Sequence, residues 1–373
     1  MSETKAGLEG VVAGQSSICF IDGQAGELVY RGIDIHELAA RSNFEEVAYL
    51  LWFGRLPKKG ELEDLRGRLR AQYGLPAGVV DGLRAIAPNA TPMDALRTGV
   101  SALAAFDPDA QETTPDANIR KSIRLTAQFG TLVATYDRLR RGLPLLEPDT
   151  SRGIAANFLY LLNGKEPTET AVKALDTALI LHADHGFNAS TFAARVCAST
   201  LADMHSAVTA AVATLKGPLH GGANERVMEM LKEIGSADRA EAWVQEKLGQ
   251  KQRIMGIGHR VYKVLDPRAI HLKRMSEALC RQAGQAHWFE ISQRVEDTVV
   301  QAKGLYPNVD FYSASTYHVL GLSADVFTPI FAVSRISGWT AHLLEQYADN
   351  RLIRPRQEYV GPKGVPYVPL AER

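Results

Sequence analysis

The sequence predicts an all-α fold with one minor β-hairpin at its N-terminus. Three observations carry this prediction. Apolar residues recur at three- and four-residue spacings along most of the chain, the period of one helix face. Alternating apolar and polar residues are confined to the region around residue 20. Segments also stop where helices stop, at Gly186 and at "FGRLP".

The elements follow in order. Ile18 and Phe20 alternate with polar neighbours, "DGQAG" supplies a turn, and Leu28 and Tyr30 return, which reads as a hairpin. Ser42 and Glu45 have the spacing of a capping box, ahead of Phe44, Val47, Ala48 and Leu51 on one face. The polar, proline-punctuated stretch "DPDAQETTPDAN" (107–118) reads as a loop, and Arg138, Arg140 and Arg141 as a solvated helix C-terminus suited to the dipole. Val172, Leu175, Leu179 and His182 line a further helix, as do Val208, Val212 and Leu215. "GPLHGGAN" then interrupts. Pro218 lacks an N–H, and Gly221 and Gly222 allow positive φ and close approach, so His220 is expected in a tight hinge between two helices. Val227, Met230, Leu231 and Ile234 line the helix after it. Asp266 and Pro267 are an N-cap and first-turn pair, followed by Leu272, Met275 and Leu279. Trp288, Ile291, Val295 and Val299 continue the series, and Ala332, Ile336, Trp339, Leu343 and Tyr347 form the last stripe. The tail from Arg354 is rich in proline and expected to be extended.

A length of 373 residues leaves room for about two domains. No clear linker divides them, so two domains would be interleaved. Hydrophobic content of 46% with 23% charged residues is that of a soluble globular protein. The 42 basic and 42 acidic side chains balance, so no global field favours nucleic acid or a membrane. Cys19, Cys197 and Cys280 are far apart and odd in number, with neither zinc spacing nor a disulfide framework, which fits a reducing, cytoplasmic setting. "MSETKAGLEG" holds no apolar core of a signal peptide, and no apolar run is long enough to span a bilayer.

Several chemical motifs fail. "GIGHRV" (256–261) begins like a dinucleotide fingerprint but lacks the third glycine. There is no phosphate-binding GxxxxGK[ST] loop and no GxSxG elbow. His182 and His185 in "HADH" have a spacing that can bind a metal, but no third ligand is evident. The plainer reading puts His182 in the core and His185 at a cleft, with no metal.

What remains is a set of helix-breaking or apolar stretches carrying polar groups that a core would exclude. They hold His185, His220, His259, Arg260, Lys263, Arg268, Asp310, Arg335 and Arg354. Each has a structural reading: Asp310 as a helix N-cap, Arg335 in an ion pair, His220 as hinge packing, Arg268 as support for a helix start beside Asp266. Together they suggest chemistry. Several arginines fit a di- or tricarboxylate. One carboxylate with two histidines can remove a proton, stabilise an oxyanion and return a proton. That inventory suits carbon–carbon bond formation through an enol, without nucleophile or metal.

These stretches resemble citrate synthase, from "GLEGVVAGQSSICFIDGQAGELVYRGIDI" through "GPLHGGAN", "GIGHRVYKVLDPRA" and "PNVDFYSAS" to "FTPIFAVSRISGWTAHLLEQYADNRLIRPRQEYVGP". The chain looks like the short bacterial and archaeal kind. The resemblance implies a homodimer with active sites shared across the interface. Each subunit would have a large helical domain (1–220 and 326–373) and a smaller inserted helical domain (221–325) that closes over substrate. It implies condensation of acetyl-CoA with oxaloacetate and water to citrate and CoA, the entry to the tricarboxylic acid cycle, with no tightly bound cofactor. By that resemblance Asp310 is the base, His220 stabilises the enol or enolate, and His259 polarises and protonates the ketone of oxaloacetate. His185, Arg268, Arg335 and a partner-supplied Arg354 bind oxaloacetate, and Ile254, Met255, Gly256, Ile257 and Gly258 contact coenzyme A. Arg253, Arg260 and Lys263 are candidates for its phosphates, because a polyanion needs cations. The related 2-methylcitrate synthase, which uses propionyl-CoA, shares this catalytic set and is the alternative. A non-catalytic helical dimer would need none of His220, His259 and Asp310, and a metal-dependent hydrolase is the other rival class.

Overall fold

A computed structural model of the chain describes residues 6–8 and 10–373. Most of the stretch read for a signal peptide therefore lies outside the described residues. The N-terminal hairpin is present as β1 (Cys19–Asp22) and β2 (Glu27–Tyr30), antiparallel with Cys19 opposite Tyr30. A third strand, β3 (Ile33–Asp34), joins β2. It is too short to show alternation in sequence.

Sixteen α-helices follow among the described residues: α1 (Ile35–Arg41), α2 (Phe44–Phe53), α3 (Lys59–Arg70), α4 (Ala77–Ile86), α5 (Pro92–Leu103), α6 (Pro115–Arg140), α7 (Ile154–Asn163), α8 (Glu169–His182), α9 (Ala189–Ser199), α10 (Met204–Leu215), α11 (Ala223–Ile234), α12 (Ala237–Gly249), α13 (Pro267–Gln282), α14 (His287–Lys303), α15 (Val309–Val319) and α16 (Phe327–Ala348). The fold is all-α, as its sequence pattern predicts.

Helix ends show where local reading went astray. Ser42 does not cap α2; it closes α1, its N–H reaching the Leu38 carbonyl. Asn43, one residue nearer the helix, caps α2 by accepting from the Glu46 N–H at 3.0 Å. Glu45 is freed to accept the Ile154 N–H at the start of α7, at 2.8 Å. The stretch 107–118 is a loop only to Thr114, whose hydroxyl caps α6, with Pro115 in the first turn. The end of α6 is not solvated at all three arginines. Arg138 is buried against the carbonyls of Pro144, Leu161 and Leu162, and Arg140 pairs with Asp137 and Asp325, because α7 and the approach to α16 pack over this end.

α16 is the central column. It packs against α2, α5, α6, α8, α9, α10 and α11 and is buried over most of its circumference. Trp52 of α2 donates its indole N–H to Thr340 at 2.9 Å, fastening the N-terminal half to it. Helices α11 to α15 pack chiefly on one another. His220 sits in the turn between α10 and α11, as expected. Close approach rather than positive φ is what the turn requires of Gly221, since a Cβ there would lie 2.3 Å from the Leu215 carbonyl oxygen. From Arg351 the chain runs without helix or strand to Pro369, ends in a short 3-10 turn (Leu370–Glu372), and is largely exposed.

Candidate active site

Five segments converge: the turn after α8 with His185, the α10–α11 turn with His220, the loop before α13 with His259, the start of α15 with Asp310, and α16 with Arg335. Their electrostatics are shared. Arg335 acts on His185, His220 and Asp310, and Arg268 acts on His185, His259 and Asp310.

The loop before α13 is laced to the start of α15. Gly258 N–H donates to the Tyr306 carbonyl at 2.7 Å, Asn308 N–H to the Gly256 carbonyl at 2.9 Å, and the Asn308 amide to the Gly258 carbonyl at 2.9 Å. Gly256 has φ +72°, and a Cβ there would lie 2.7 Å from Val227 and 3.0 Å from the Phe311 Cα. The segment from Ile254 to Gly258 therefore lies directly against the backbone that carries Asp310. Ile254 and Gly256 are buried, whereas Arg253, Arg260 and Lys263 are exposed.

Asp310 is not the N-cap of α15. Asn308 is, accepting the Asp310 N–H at 3.0 Å. The Asp310 carboxyl makes no hydrogen bond among the described residues. Burial pushes it up to about 7, with Arg268 opposing and Asp266 adding to the shift.

Both flanking histidines are neutral, and their partners fix their tautomers. His220 Nε2 meets the Ser190 hydroxyl at 2.8 Å and the Ser190 N–H at 3.3 Å; with Nε2 accepting from both, the ring proton is assigned to Nδ1. Burial, helped by Arg335, lowers His220 to about 4. The N–H groups of Val261 and Tyr262 donate to His259 Nδ1 at 3.0 and 3.2 Å, so its proton is on Nε2. Burial, then Arg268, lowers His259 to about 4. Each imidazole thus offers one N–H as a donor.

His185 is buried, pushed well below its ordinary value by burial and by Arg268, and meets the Tyr262 hydroxyl at 3.2 Å. His182, as expected, is a core residue, hydrogen-bonded through Nδ1 to the Ala178 carbonyl.

The two arginines differ. Arg268, 2% exposed, is gripped by Asp266 through Nε at 2.9 Å and Nη2 at 2.8 Å. Arg335, 1% exposed, is not in an ion pair among the described residues. Its Nε donates to the His182 carbonyl at 2.7 Å, and the guanidinium lies 4.6 Å over the Phe331 ring. Burial lowers Arg335, with Asp184 opposing. A buried guanidinium without a carboxylate partner is a site for an anion. Arg354 is exposed on the extended tail, without a hydrogen bond or ion pair among the described residues, so this single chain does not bring it to the cluster.

Sequence reasoning missed four contributors: Tyr262, whose ring packs against His185 and His259; Asp266 beyond its capping role, since it also accepts the Val309 N–H at 3.2 Å; Ser190, which sets the His220 tautomer; and Asp184. Tyr262, Asp266 and Asp184 stand beside singled-out residues in "GHRVY", "DPRA" and "ADHG", but a side chain that acts through another has no pattern of its own.

A helical enzyme with a buried anion site among neutral imidazoles is the class these features define. The family model described as "Citrate synthase, C-terminal domain" matches residues 7–356, and the chain belongs to the citrate synthase family. It is 54% identical to citrate synthase 2 of Bacillus subtilis, over 98% of both chains. It is 44% identical to 2-methylcitrate synthase of Mycobacterium tuberculosis, over 96% of this chain and 91% of that one. The solved ternary complex of citrate synthase from Thermoplasma acidophilum with carboxymethyl coenzyme A and oxaloacetate superposes with a TM-score of 0.94 at 36% identity, over the full length of both chains.

Proposed function

We propose that this chain condenses acetyl-CoA with oxaloacetate and water to give citrate and CoA. The observation that carries the reading is that the buried Asp310 carboxyl, pushed up to about 7, and the neutral imidazoles of His220 and His259 gather around the same two buried guanidiniums, Arg268 and the unpaired Arg335. A base is most effective when its pKa lies near the working pH. Asp310 takes a proton from the acetyl methyl group. The His220 Nδ1–H donates to the thioester oxygen and stabilises the enol or enolate. The new carbon nucleophile attacks the ketone of oxaloacetate, which the His259 Nε2–H polarises and then protonates as the carbon–carbon bond forms. His185, Arg268 and Arg335 hold the oxaloacetate carboxylates. Hydrolysis of citryl-CoA completes the turnover.

The segment from Ile254 to Gly258 contacts coenzyme A, and Arg253, Arg260 and Lys263 line the route to its phosphates. Residues 221–325 form the domain that closes over substrate, with 1–220 and 326–373 as the large domain, in a cytoplasmic homodimer. No described helix is long and apolar enough to cross a membrane. The exposed tail supports a partner-supplied Arg354. Arg354→Ala is expected to weaken oxaloacetate use, and mixing it with an Asp310→Asn protein to restore activity, because a mixed dimer rebuilds one complete site. No recovery on mixing would place Arg354 outside the partner's site.

The deciding experiment is CoA thiol release with oxaloacetate and either acetyl-CoA or propionyl-CoA, in chelator, compared by kcat/KM. A clear acetyl preference is expected. One methylene in an apolar pocket is worth about 1–3 kcal/mol, so a propionyl preference would move the chain to 2-methylcitrate synthesis with the same residue roles. Release from neither would end the reading.

A further inference from the structure

α16 presents Arg335, Gly338 and His342 at spacings of three and four, one face of a helix. All three meet the turn that carries His185. Arg335 Nε holds the His182 carbonyl at 2.7 Å. At Gly338 the turn comes so close that a Cβ would lie 2.2 Å from the Ala183 carbonyl oxygen and 2.6 Å from Asp184 Oδ1. His342 Nε2 reaches both Asp184 oxygens, at 3.2 and 3.3 Å.

The His342–Asp184 contact is fully buried, with both side chains at 0% exposure, and its direction is set from outside. Arg195 Nη1 lies 3.2 Å from His342 Nδ1 and 2.8 Å from Glu345. A guanidinium only donates, so Nδ1 accepts and the imidazole proton sits on Nε2, pointing at Asp184. Asp184 Oδ2 also accepts the Gly186 N–H at 3.0 Å, and its backbone N–H and carbonyl are both bound by the Tyr30 hydroxyl. His185 is thus bracketed by hydrogen bonds at the residue before it and at the residue after it.

We infer that His342 and Asp184 are positioning residues for the oxaloacetate half of the site: together they fix the turn that presents His185 and place a buried negative charge behind Arg335. The inference rests on the proposed function. An asparagine at 184 presents an N–H to the Gly186 or His342 donor whichever way round it sits. A glutamine at 342 has one donor and one acceptor, as the imidazole does; a leucine has neither.

The test uses the full chain and reads KM for each substrate, kcat, the melting temperature, and its shift on adding oxaloacetate alone. His342→Leu is expected to raise the oxaloacetate KM about 10–100-fold, the scale of a small displacement of a binding group. It should lose most of the oxaloacetate-induced shift and leave the acetyl-CoA KM unchanged. His342→Gln is expected to recover most of both losses. An unaltered oxaloacetate KM in His342→Leu overturns the inference, and so do equal losses in the leucine and glutamine variants, which would mark a packing role. If His342→Leu does not fold, Asp184→Asn decides: a raised oxaloacetate KM with unchanged acetyl-CoA KM supports the inference, and unchanged values overturn it. A wild type that neither condenses nor is stabilised by oxaloacetate sinks both readings. One that does both, with unaffected variants, sinks only this one.

Discussion

Asp310→Asn is expected to fold normally and lose condensation by at least about 10²–10⁴-fold, the usual contribution of a general base. The amide keeps the shape of the carboxyl and cannot take the methyl proton. A variant within about ten-fold of wild type would remove Asp310 from that role. The wild type carries a matching pH signature. Its base form requires deprotonation at about 7, so kcat/KM should fall as pH drops below 7 and level off above it. His220 and His259, lowered to about 4, stay neutral throughout that window. Stability should move the other way. Between about 4 and 7 the folded protein keeps a proton on Asp310 that the unfolded chain has released, so stability falls as pH rises through about 7. The asparagine variant lacks this dependence, and its melting temperature should gain on wild type from pH 5 to 8. A constant difference would mean that Asp310 titrates normally.

Arg268→Met should cost about 3–5 kcal/mol of folding free energy as well as oxaloacetate use, because it strands a buried carboxylate. Asp266 is 1% exposed, and its oxygens also take the backbone N–H groups of Arg268 and Val309. The charge left behind would sit where α13 and α15 begin. Adding Asp266→Asn removes the stranded charge and should recover part of the stability in urea unfolding, but not all of it, because the amide turns an N–H toward either the Arg268 or the Val309 donor. It should not recover condensation, since the guanidinium is still missing. A single variant as stable as wild type would show that water reaches Asp266, and a condensing double variant would remove Arg268 from substrate binding.

Helix faces were legible in the sequence because burial repeats with the helical period: Val208, Val212 and Leu215 all fall inside α10, buried as read. The α16 stripe was legible but incomplete. A helix surrounded by seven others buries nearly all its faces, and Ser334, Ser337 and Thr340 are buried there too, their hydroxyls satisfied by backbone carbonyls. Single-residue assignments at helix ends were the weak point. Ser42 or Asn43, and Asn308 or Asp310, are equally good capping types, and only the chain path decides between them. The convergence of His185, His220, His259, Arg268, Asp310 and Arg335 was legible through their misfit, polar groups in breaks and apolar runs; that of Arg354 was not. Their protonation was not, because it depends on donors such as the Ser190 and Val261 N–H groups brought in by the fold.

The column at the centre of this molecule is also made after every helix it packs against. Ribosomes deliver the chain from the N-terminus at about 5–20 residues per second. By the time Phe327 is added, the residues of all seven helices that α16 will touch have been made, and the faces they turn to α16 have no cover. Until then the chain carries those faces uncovered, although α5, α6, α9 and α10 can already pack on one another. Its exposure to aggregation and to chaperones is therefore concentrated before residue 348 emerges. A stop codon just upstream of α16 would release a chain that keeps the contacts among α11 to α15 and among α5, α6, α9 and α10 but lacks the column that joins them.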